Sequence, residues 1–158
     1  MENDHMHFMQ KAVELSLEMM RKGSGGPFGA VVVKNGKIIS TGYNNVLNGN
    51  DPTAHAERMA IRESGEKLKT FQLTGCYLYT SCEPCPMCMG AIYWARPDKV
   101  FYSNSREEAS KIGFDDSFIY NELKLPVHLR KLEMVCLKHP QAIEAFEEWS
   151  NKQDKTTY

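Results

Sequence analysis

The chain has 158 residues, a length that suits one domain with a single hydrophobic core and is short for two. Its formal net charge is −1 at pH 7, so it lacks the strongly basic character that long nucleic-acid partners favour. The N-terminus carries no apolar signal segment, and no run approaches ~18 consecutive apolar residues. We therefore expect residues 1–158 to form one cytoplasmic domain that does not enter a membrane.

The first part of the sequence predicts a helix followed by a β-hairpin. Apolar residues recur at helical spacing from Phe8 to Met20, and a segment rich in glycine and ending in proline stops that pattern. The runs Phe28–Val33 and Lys37–Gly42 have the composition of short strands. They flank Asn35-Gly36, a strong signal for a hairpin turn.

The rest of the sequence alternates predicted helices with predicted strands. One helix is expected from Ala54 to about Ser64, with His55 in its first turn, and another, buried, from Met87 to Ala95. The remaining predicted elements are the strands Cys76–Ser81, Lys99–Tyr102 and Leu132–Leu137, and a last helix around Ala142–Trp149. This alternation predicts the α/β class, a three-layer αβα sandwich with a five-stranded mixed sheet.

Two short segments carry most of the chemical information. His55-Ala56-Glu57 and Pro84-Cys85-Pro86-Met87-Cys88 spell H-x-E followed by P-C-x-x-C, the signature of zinc deaminases that act on nucleobases. One imidazole and two thiolates provide three ligands of a tetrahedral zinc ion and leave the fourth position for water. We predict that His55, Cys85 and Cys88 bind one Zn²⁺ per subunit, and that Glu57 moves protons.

The expected positions of these residues agree with those roles. Cys85 and Cys88 are three residues apart at a helix start, where the helix dipole favours thiolates. Zinc lowers the pKa of a bound water from about 15.7 to about 7, so no side chain needs to act as nucleophile. On a helix, Glu57 would lie about 200° around the axis from His55, so we expect it outside the ligand set.

Other uses of the cysteines remain open. The clustering of Cys82, Cys85 and Cys88 favours metal or redox chemistry over disulfides in a chain without an export signal. Cys82 could complete a Cys₃His site with no open position, which would make the protein a zinc-stabilised binding module. An iron–sulfur cluster fits less well because the run lacks its fourth cysteine. Cys76 and Cys136 fit buried hydrophobic positions.

Three blocks of the chain resemble the cytidine-deaminase-like superfamily, in the branch that contains bacterial guanine deaminases and tRNA adenosine deaminases. The blocks are Pro27–Val32, Asp51–Glu57 and Tyr79–Cys88. Within the branch, the segment Gly113–Tyr120 and the final Tyr158 are similar to the guanine deaminases. The resemblance implies hydrolysis of guanine to xanthine and ammonia. A tRNA adenosine, guanosine or cytosine substrate is the alternative.

The same resemblance implies further site residues and an assembly. The residues that would contact a purine base are Phe28, Asn44, Ala54 and Tyr158. Asp116 would be a second catalytic carboxylate near the substrate. The enzyme would form a homodimer in which a tail from about 151 to 158 is swapped, so that Tyr158 closes the partner's site. Judged from the residues alone, ordinary packing, turn or loop roles remain open for Phe28, Asn44 and Asp116, and a disordered chain end remains open for Tyr158.

Overall fold

The structure, a computed structural model, describes the backbone of residues 2–158 and the side chains from residue 4 onward. The chain divides into two compact units, a first unit that ends at Ser117 and a second unit, Phe118–Tyr158. The organisation of 1–158 as one domain therefore stays a prediction. No helix in the described part of the chain has the length and apolar character needed to cross a bilayer.

The first unit is built on a four-stranded mixed sheet in the order β2-β1-β3-β4. The strands are β1 (Gly29–Lys34), β2 (Lys37–Tyr43), β3 (Cys76–Cys82) and β4 (Lys99–Asn104). Strand β1 pairs antiparallel with both β2 and β3, and β3 pairs parallel with β4. Asn35 and Gly36 both have positive φ between β1 and β2, which is the backbone of the predicted hairpin turn.

The helices include the predicted ones, with shifted ends, and several that sequence reasoning missed. In chain order they are α1 (Glu2–Arg21), α2 (Val46–Gly49), α3 (Ala56–Leu68), α4 (Pro86–Ala95), α5 (Arg106–Lys111), α6 (Ser117–Lys124), a 3-10 turn (Val127–Leu129) and α7 (Pro140–Asn151). The short helices α2, α5 and α6 were not predicted. Pro86 occupies the first position of α4, as expected for a proline at a helix start.

Helices cover both faces of the sheet because successive residues of β1 point to opposite sides. Ala30 and Val32 pack in one cluster with alanines of α3 and with Ile92 of α4. Val31 and Val33 pack in a second cluster with Phe8 of α1. The predicted three-layer α/β arrangement is therefore confirmed, with α1 on one face and α3 and α4 on the other.

Helices α3 and α4 end in the same way, at residues with left-handed backbone. Lys69 follows α3 with φ of 52°, and its N–H bonds to the carbonyl oxygen of Gly65. Arg96 follows α4 with φ of 57°, and its N–H bonds to the carbonyl oxygen of Ile92. These bonds satisfy carbonyl groups that would otherwise lack partners at the helix ends.

The predicted fifth strand at Leu132–Leu137 is wrong. That segment of the second unit has neither helix nor strand, and the described sheet has four strands. Leu132 and Leu137 are 76% and 86% exposed, and Cys136 is exposed rather than buried. An apolar run becomes a strand only where a neighbouring strand supplies hydrogen-bond partners, and no described residue pairs with this one.

Helix α4 also differs from the expectation that it is buried. Cys88, Ile92 and Ala95 are buried, but Tyr93 and Trp94 are 75% and 65% exposed. The helix is apolar around most of its circumference, and the core of the first unit covers only one side of it. Two large aromatic side chains on the uncovered side are unusual for a surface that remains in water.

Candidate active site

His55, Cys85 and Cys88 converge where α3 and α4 begin. His55 is the residue immediately before α3, and Cys85 is the residue immediately before α4. The ligand atoms of the three residues all lie within 4.8 Å of one another, and Nδ1 of His55 is 3.5 Å from each sulfur. A tetrahedral zinc ion with bonds of about 2.0–2.3 Å spaces its ligands by roughly 3.5 Å, so the group fits one such ion.

The ionisation of the three residues favours a bound cation. Hydrogen bonds with Cys88 and His55 lower the pKa of the Cys85 thiol to about 4, despite its burial. The hydrogen bond with Cys85 in turn raises the pKa of His55. The pKa of the Cys88 thiol is raised, because the neighbouring Cys85 and burial both disfavour a second thiolate. A metal cation supplies the positive charge that both thiolates together require.

Glu57 lies directly beside this group. Its Oε2 atom is 3.5 Å from the sulfur of Cys88, and the residue is only 6% exposed. The expected angle of about 200° from His55 assumed that both residues are helical. His55 instead precedes α3 with an extended backbone, so both side chains reach the same place. Burial raises the pKa of the Glu57 carboxyl, which favours its protonated form more than in an exposed glutamate.

Cys82 lies outside the three-residue group. Its sulfur faces the carbonyl oxygen of Ser105 at 3.8 Å, and burial raises the pKa of its thiol to about 11. The group found among the described residues contains His55, Cys85 and Cys88 and no fourth protein ligand. A closed Cys₃His site through Cys82 therefore has no support in the structure, and the arrangement matches an open, catalytic site.

Phe28 and Asn44 flank the β1–β2 hairpin and are joined to each other. The backbone N–H of Asn44 donates to the carbonyl oxygen of Phe28 at 3.1 Å. Asn44 is buried, and its Oδ1 accepts a hydrogen bond from the N–H of Val46 at 3.3 Å, as in an Asx turn. The ring of Phe28 meets the ring of Phe114 edge-on, with centroids 4.8 Å apart. Ala54, also buried, immediately precedes His55.

Asp116 is held by a residue that sequence reasoning missed. Nε of Arg106, the first residue of α5, lies 3.4 Å from Oδ1 of Asp116. The backbone N–H of Arg106 donates to Oε2 of Glu83 at 3.2 Å, in the segment that leads to Cys85. Partial burial raises the pKa of the Asp116 carboxyl, and the charge of Arg106 opposes that rise. Arg106 thus links Asp116 to the segment before the second zinc motif.

Tyr158 belongs to the second unit and is largely exposed. Its predicted contact with a base in the partner's site stays a prediction.

A capping box at the start of α5, in which Ser105 and Glu108 bond to each other's backbone N–H groups, was readable in the sequence as a helix start. That signal would have placed Arg106 at a helix N-terminus, although it does not reveal the pairing with Asp116.

A family model for the zinc-binding region of cytidine and deoxycytidylate deaminases matches residues 2–104 of the chain. The chain belongs to this deaminase family. The predicted resemblance is confirmed, and with it a zinc-dependent hydrolytic deaminase with the cytidine-deaminase-like α/β fold, here with four strands in place of five.

The similar proteins include guanine deaminases and tRNA-specific adenosine deaminases. Guanine deaminase from Bacillus subtilis is 50% identical over 98% of this chain and 99% of its own length. Its X-ray structure matches with a TM-score of 0.94 over 98% of each chain. A solved structure of guanine deaminase from Nitrosomonas europaea is 34% identical, with a TM-score of 0.66 over 69% of this chain and 63% of that chain. A tRNA-specific adenosine deaminase from Buchnera aphidicola is 38% identical over 71% of this chain and 76% of its own.

Proposed function

We propose that this deaminase hydrolyses guanine to xanthine and ammonia. The observation that carries the reaction type is the group of His55, Cys85 and Cys88 with the buried carboxylate of Glu57 beside it. The choice of guanine is supported by 50% identity to a guanine deaminase over nearly the full length of both chains. In the reaction, a water oxygen bonds to the ring carbon that bears the amino group, and the carbon–nitrogen bond to that group breaks.

We infer that His55, Cys85 and Cys88 hold the zinc ion. When bound there, zinc supplies a Lewis acid that makes a water nucleophilic at neutral pH. His55 contributes Nδ1, which already faces both sulfurs. The two cysteines at the start of α4 contribute negative charge, and the helix dipole favours that charge. Three protein ligands leave one tetrahedral position for the reactants.

Glu57 carries the protons in this proposal. Its carboxylate takes one proton from the attacking water and delivers it to a ring nitrogen, then takes the second proton from the added hydroxyl and passes it to the amino group, which leaves as ammonia. Burial beside Cys88 raises its pKa, so the carboxyl can hold a proton between those steps. A buried position also keeps bulk water from exchanging with the proton in transit.

Two of the proposed base contacts, Phe28 and Asn44, lie at the two ends of the β1–β2 hairpin. The ring of Phe28 offers a flat apolar surface for a purine, and the amide of Asn44 offers one acceptor and two donors for its edge. Ala54, small and next to His55, leaves room for the base at the metal. Asp116 is the second carboxylate, and Arg106 favours its ionised form.

We also propose a cytoplasmic homodimer in which residues from about 151 to 158 cross to the partner, where Tyr158 closes the site. Support comes from apolar surface that the single chain leaves in water. Tyr93 and Trp94 on α4 and Phe146 on α7 are all exposed. Surfaces of this kind commonly mark subunit interfaces. The five described cysteines are all free, as in reducing compartments.

The test of the substrate is a side-by-side assay of ammonia release with guanine, guanosine, cytosine, a pterin and a tRNA that carries adenosine. We expect ammonia and equimolar xanthine from guanine, and much slower release from the others. Release from the tRNA alone, with an affinity that falls steeply as salt rises, would overturn guanine in favour of a polynucleotide substrate. Release from none of them would overturn the proposed chemistry.

A further inference from the structure

Two adjacent glycines lie where any side chain would collide with the proposed base contacts. A Cβ atom at Gly25 would overlap Oδ1 of Asn44 and would lie 2.8 Å from its backbone carbonyl oxygen. A Cβ atom at Gly26 would lie 2.8 Å from Cζ of Phe114 and 2.9 Å from Cε2 of Phe28. Carbon atoms in contact normally stand about 3.5–4.0 Å apart, so these positions exist only because both residues lack a side chain.

We propose that Gly25 and Gly26 are positioning residues for the purine, with Gly25 setting the amide of Asn44 and Gly26 setting the ring of Phe28 against Phe114. The inference rests on the base contacts proposed above for Phe28 and Asn44. It adds three residues, Gly25, Gly26 and Phe114, to the part of the site that recognises the base.

Asn44 has little freedom to move away from a larger residue at position 25. It is buried, its N–H bonds to Phe28, and its Oδ1 accepts from the N–H of Val46. A further hydrogen bond joins the glycine segment to the residues after Asn44. The N–H of Leu47 donates to the carbonyl oxygen of Ser24, the residue before Gly25, at 3.2 Å. A methyl group at position 25 must therefore break one of these bonds or turn the amide away from its present direction.

The aromatic pair is held in a similar way. The N–H of Phe28 donates to the carbonyl oxygen of Gly26 at 2.9 Å, which folds the ring of Phe28 back over Gly26. The ring of Phe114 meets it at an interplanar angle of 89°, the favoured edge-to-face arrangement. A methyl group at position 26 would push against both rings at once, and Phe114 is only two residues from Asp116.

This arrangement separates base recognition from the metal chemistry. The atoms nearest to a Cβ at either glycine belong to Asn44, Phe28 and Phe114, and none of these is a proposed zinc ligand. A substitution at either glycine should therefore weaken the binding of the base while it leaves zinc in place. The expected signature is a rise in KM with a much smaller change in kcat, which a general loss of folding would not produce.

The test compares Gly25→Ala and Gly26→Ala with the control Gly49→Ala, whose Cβ would meet nothing nearer than 3.6 Å. We expect KM for guanine to rise about tenfold or more in both test variants, with kcat within about threefold of the parent. Zinc content should stay near the parent value, the unfolding temperature should fall because a buried collision must be relieved, and the control should be unchanged in both. An unchanged KM in both test variants would overturn the proposal.

A double variant distinguishes a collision with the side-chain amide of Asn44 from a collision with its backbone. Once Asn44→Ala has removed the amide, adding Gly25→Ala should change KM by no more than about threefold, because the nearest collision has gone. A tenfold rise in KM on adding Gly25→Ala to the Asn44→Ala variant would contradict the role of Gly25. If Gly25→Ala alone fails to fold, a folded, zinc-loaded double variant supports the proposal and an unfolded one overturns it.

Failure of this inference is distinguishable from failure of the proposed substrate. If the parent enzyme does not deaminate guanine, the proposed function is wrong, and the same KM comparison is made with whichever base the parent does deaminate. A parent active on guanine, with glycine variants that match it, leaves the function intact and removes only the role of the glycines.

Discussion

The two units of the molecule differ in how completely they cover their own apolar side chains. In the first unit, Val31, Val32 and Leu78 are fully enclosed between the sheet and its helices. In the second unit, which the structure describes throughout, none of the residues 118–158 is buried, and Leu137 and Phe146 are among its exposed apolar residues. The contrast indicates a complete core in the first unit, whereas the exposed apolar residues of the second unit fit the dimer proposed above.

The largest effect should follow from removing a proposed zinc ligand in the first unit. We expect Cys88→Ser to lose both zinc and turnover, because a hydroxyl is a poor replacement for a thiolate at a zinc site. Cys136→Ser, at an exposed cysteine of the second unit, should keep both. Metal analysis and xanthine formation measure the two properties together. A Cys88→Ser protein with a full complement of zinc would show that the metal lies elsewhere.

The next largest effect should follow from removing the carboxylate of Glu57, the proposed proton carrier. Glu57→Gln should lower kcat by about 10²–10⁴-fold and retain zinc, because the amide cannot transfer protons but fills the same space. The matched control is Glu66→Gln, an exposed glutamate on the same helix that pairs with Arg62. The measurement is steady-state guanine turnover with zinc analysis of the same samples. Full activity of Glu57→Gln would refute the assigned role.

A smaller effect should follow from a change made in the second unit, the truncation of residues 151–158. If the tail closes the partner's site, its removal should lower kcat/KM roughly tenfold, a loss of positioning. Zinc content and the unfolding of the first unit should not change. Tyr158→Ala tests whether the tyrosine alone accounts for the loss. Sedimentation of the full chain provides the decisive comparison, since a fully active monomer would overturn the swapped dimer.

The smallest effect should be a shift in pH dependence at Arg106. The charge of Arg106 lowers the pKa of Asp116, so Arg106→Gln should raise that pKa further above its ordinary value. If Asp116 must be ionised, the acid limb of kcat/KM then moves to higher pH. The loss is greatest at low pH and recovers at higher pH, with Arg106→Lys intermediate. An exposed control is Arg62→Gln. A variant with an unmoved acid limb would exclude this role for Arg106.

The parts of the molecule that were predicted correctly are those with local signals. Asn35-Gly36 specifies its turn by backbone conformation alone, and Pro86 marks a helix start by its missing N–H. His55, Cys85 and Cys88 were singled out because they belong to the H-x-E and P-C-x-x-C motifs, and the structure brings their ligand atoms within 4.8 Å of one another, while their role as zinc ligands stays a prediction. Local signals of this kind need no knowledge of the rest of the chain.

The errors and omissions arose where structure depends on distant partners. The apolar run Leu132–Leu137 has strand composition, but composition cannot say whether a neighbouring strand is present. The pairing of Arg106 with Asp116 joins the first residue of α5 to a residue beyond the turn that follows this helix, and no periodicity in the sequence marks it. The contact of Gly25 with Asn44 depends on how two segments fold against each other.

The residues that follow α3 and α4 have a left-handed backbone, and substitutions there should make the enzyme more heat-resistant. Lys69 and Arg96 adopt a backbone conformation that glycine accepts without strain, and an ordinary residue there costs roughly 1 kcal/mol. Both positions are at the opposite ends of the helices from the candidate metal group. Replacing both with glycine should therefore raise thermal tolerance at positions distant from the candidate metal group.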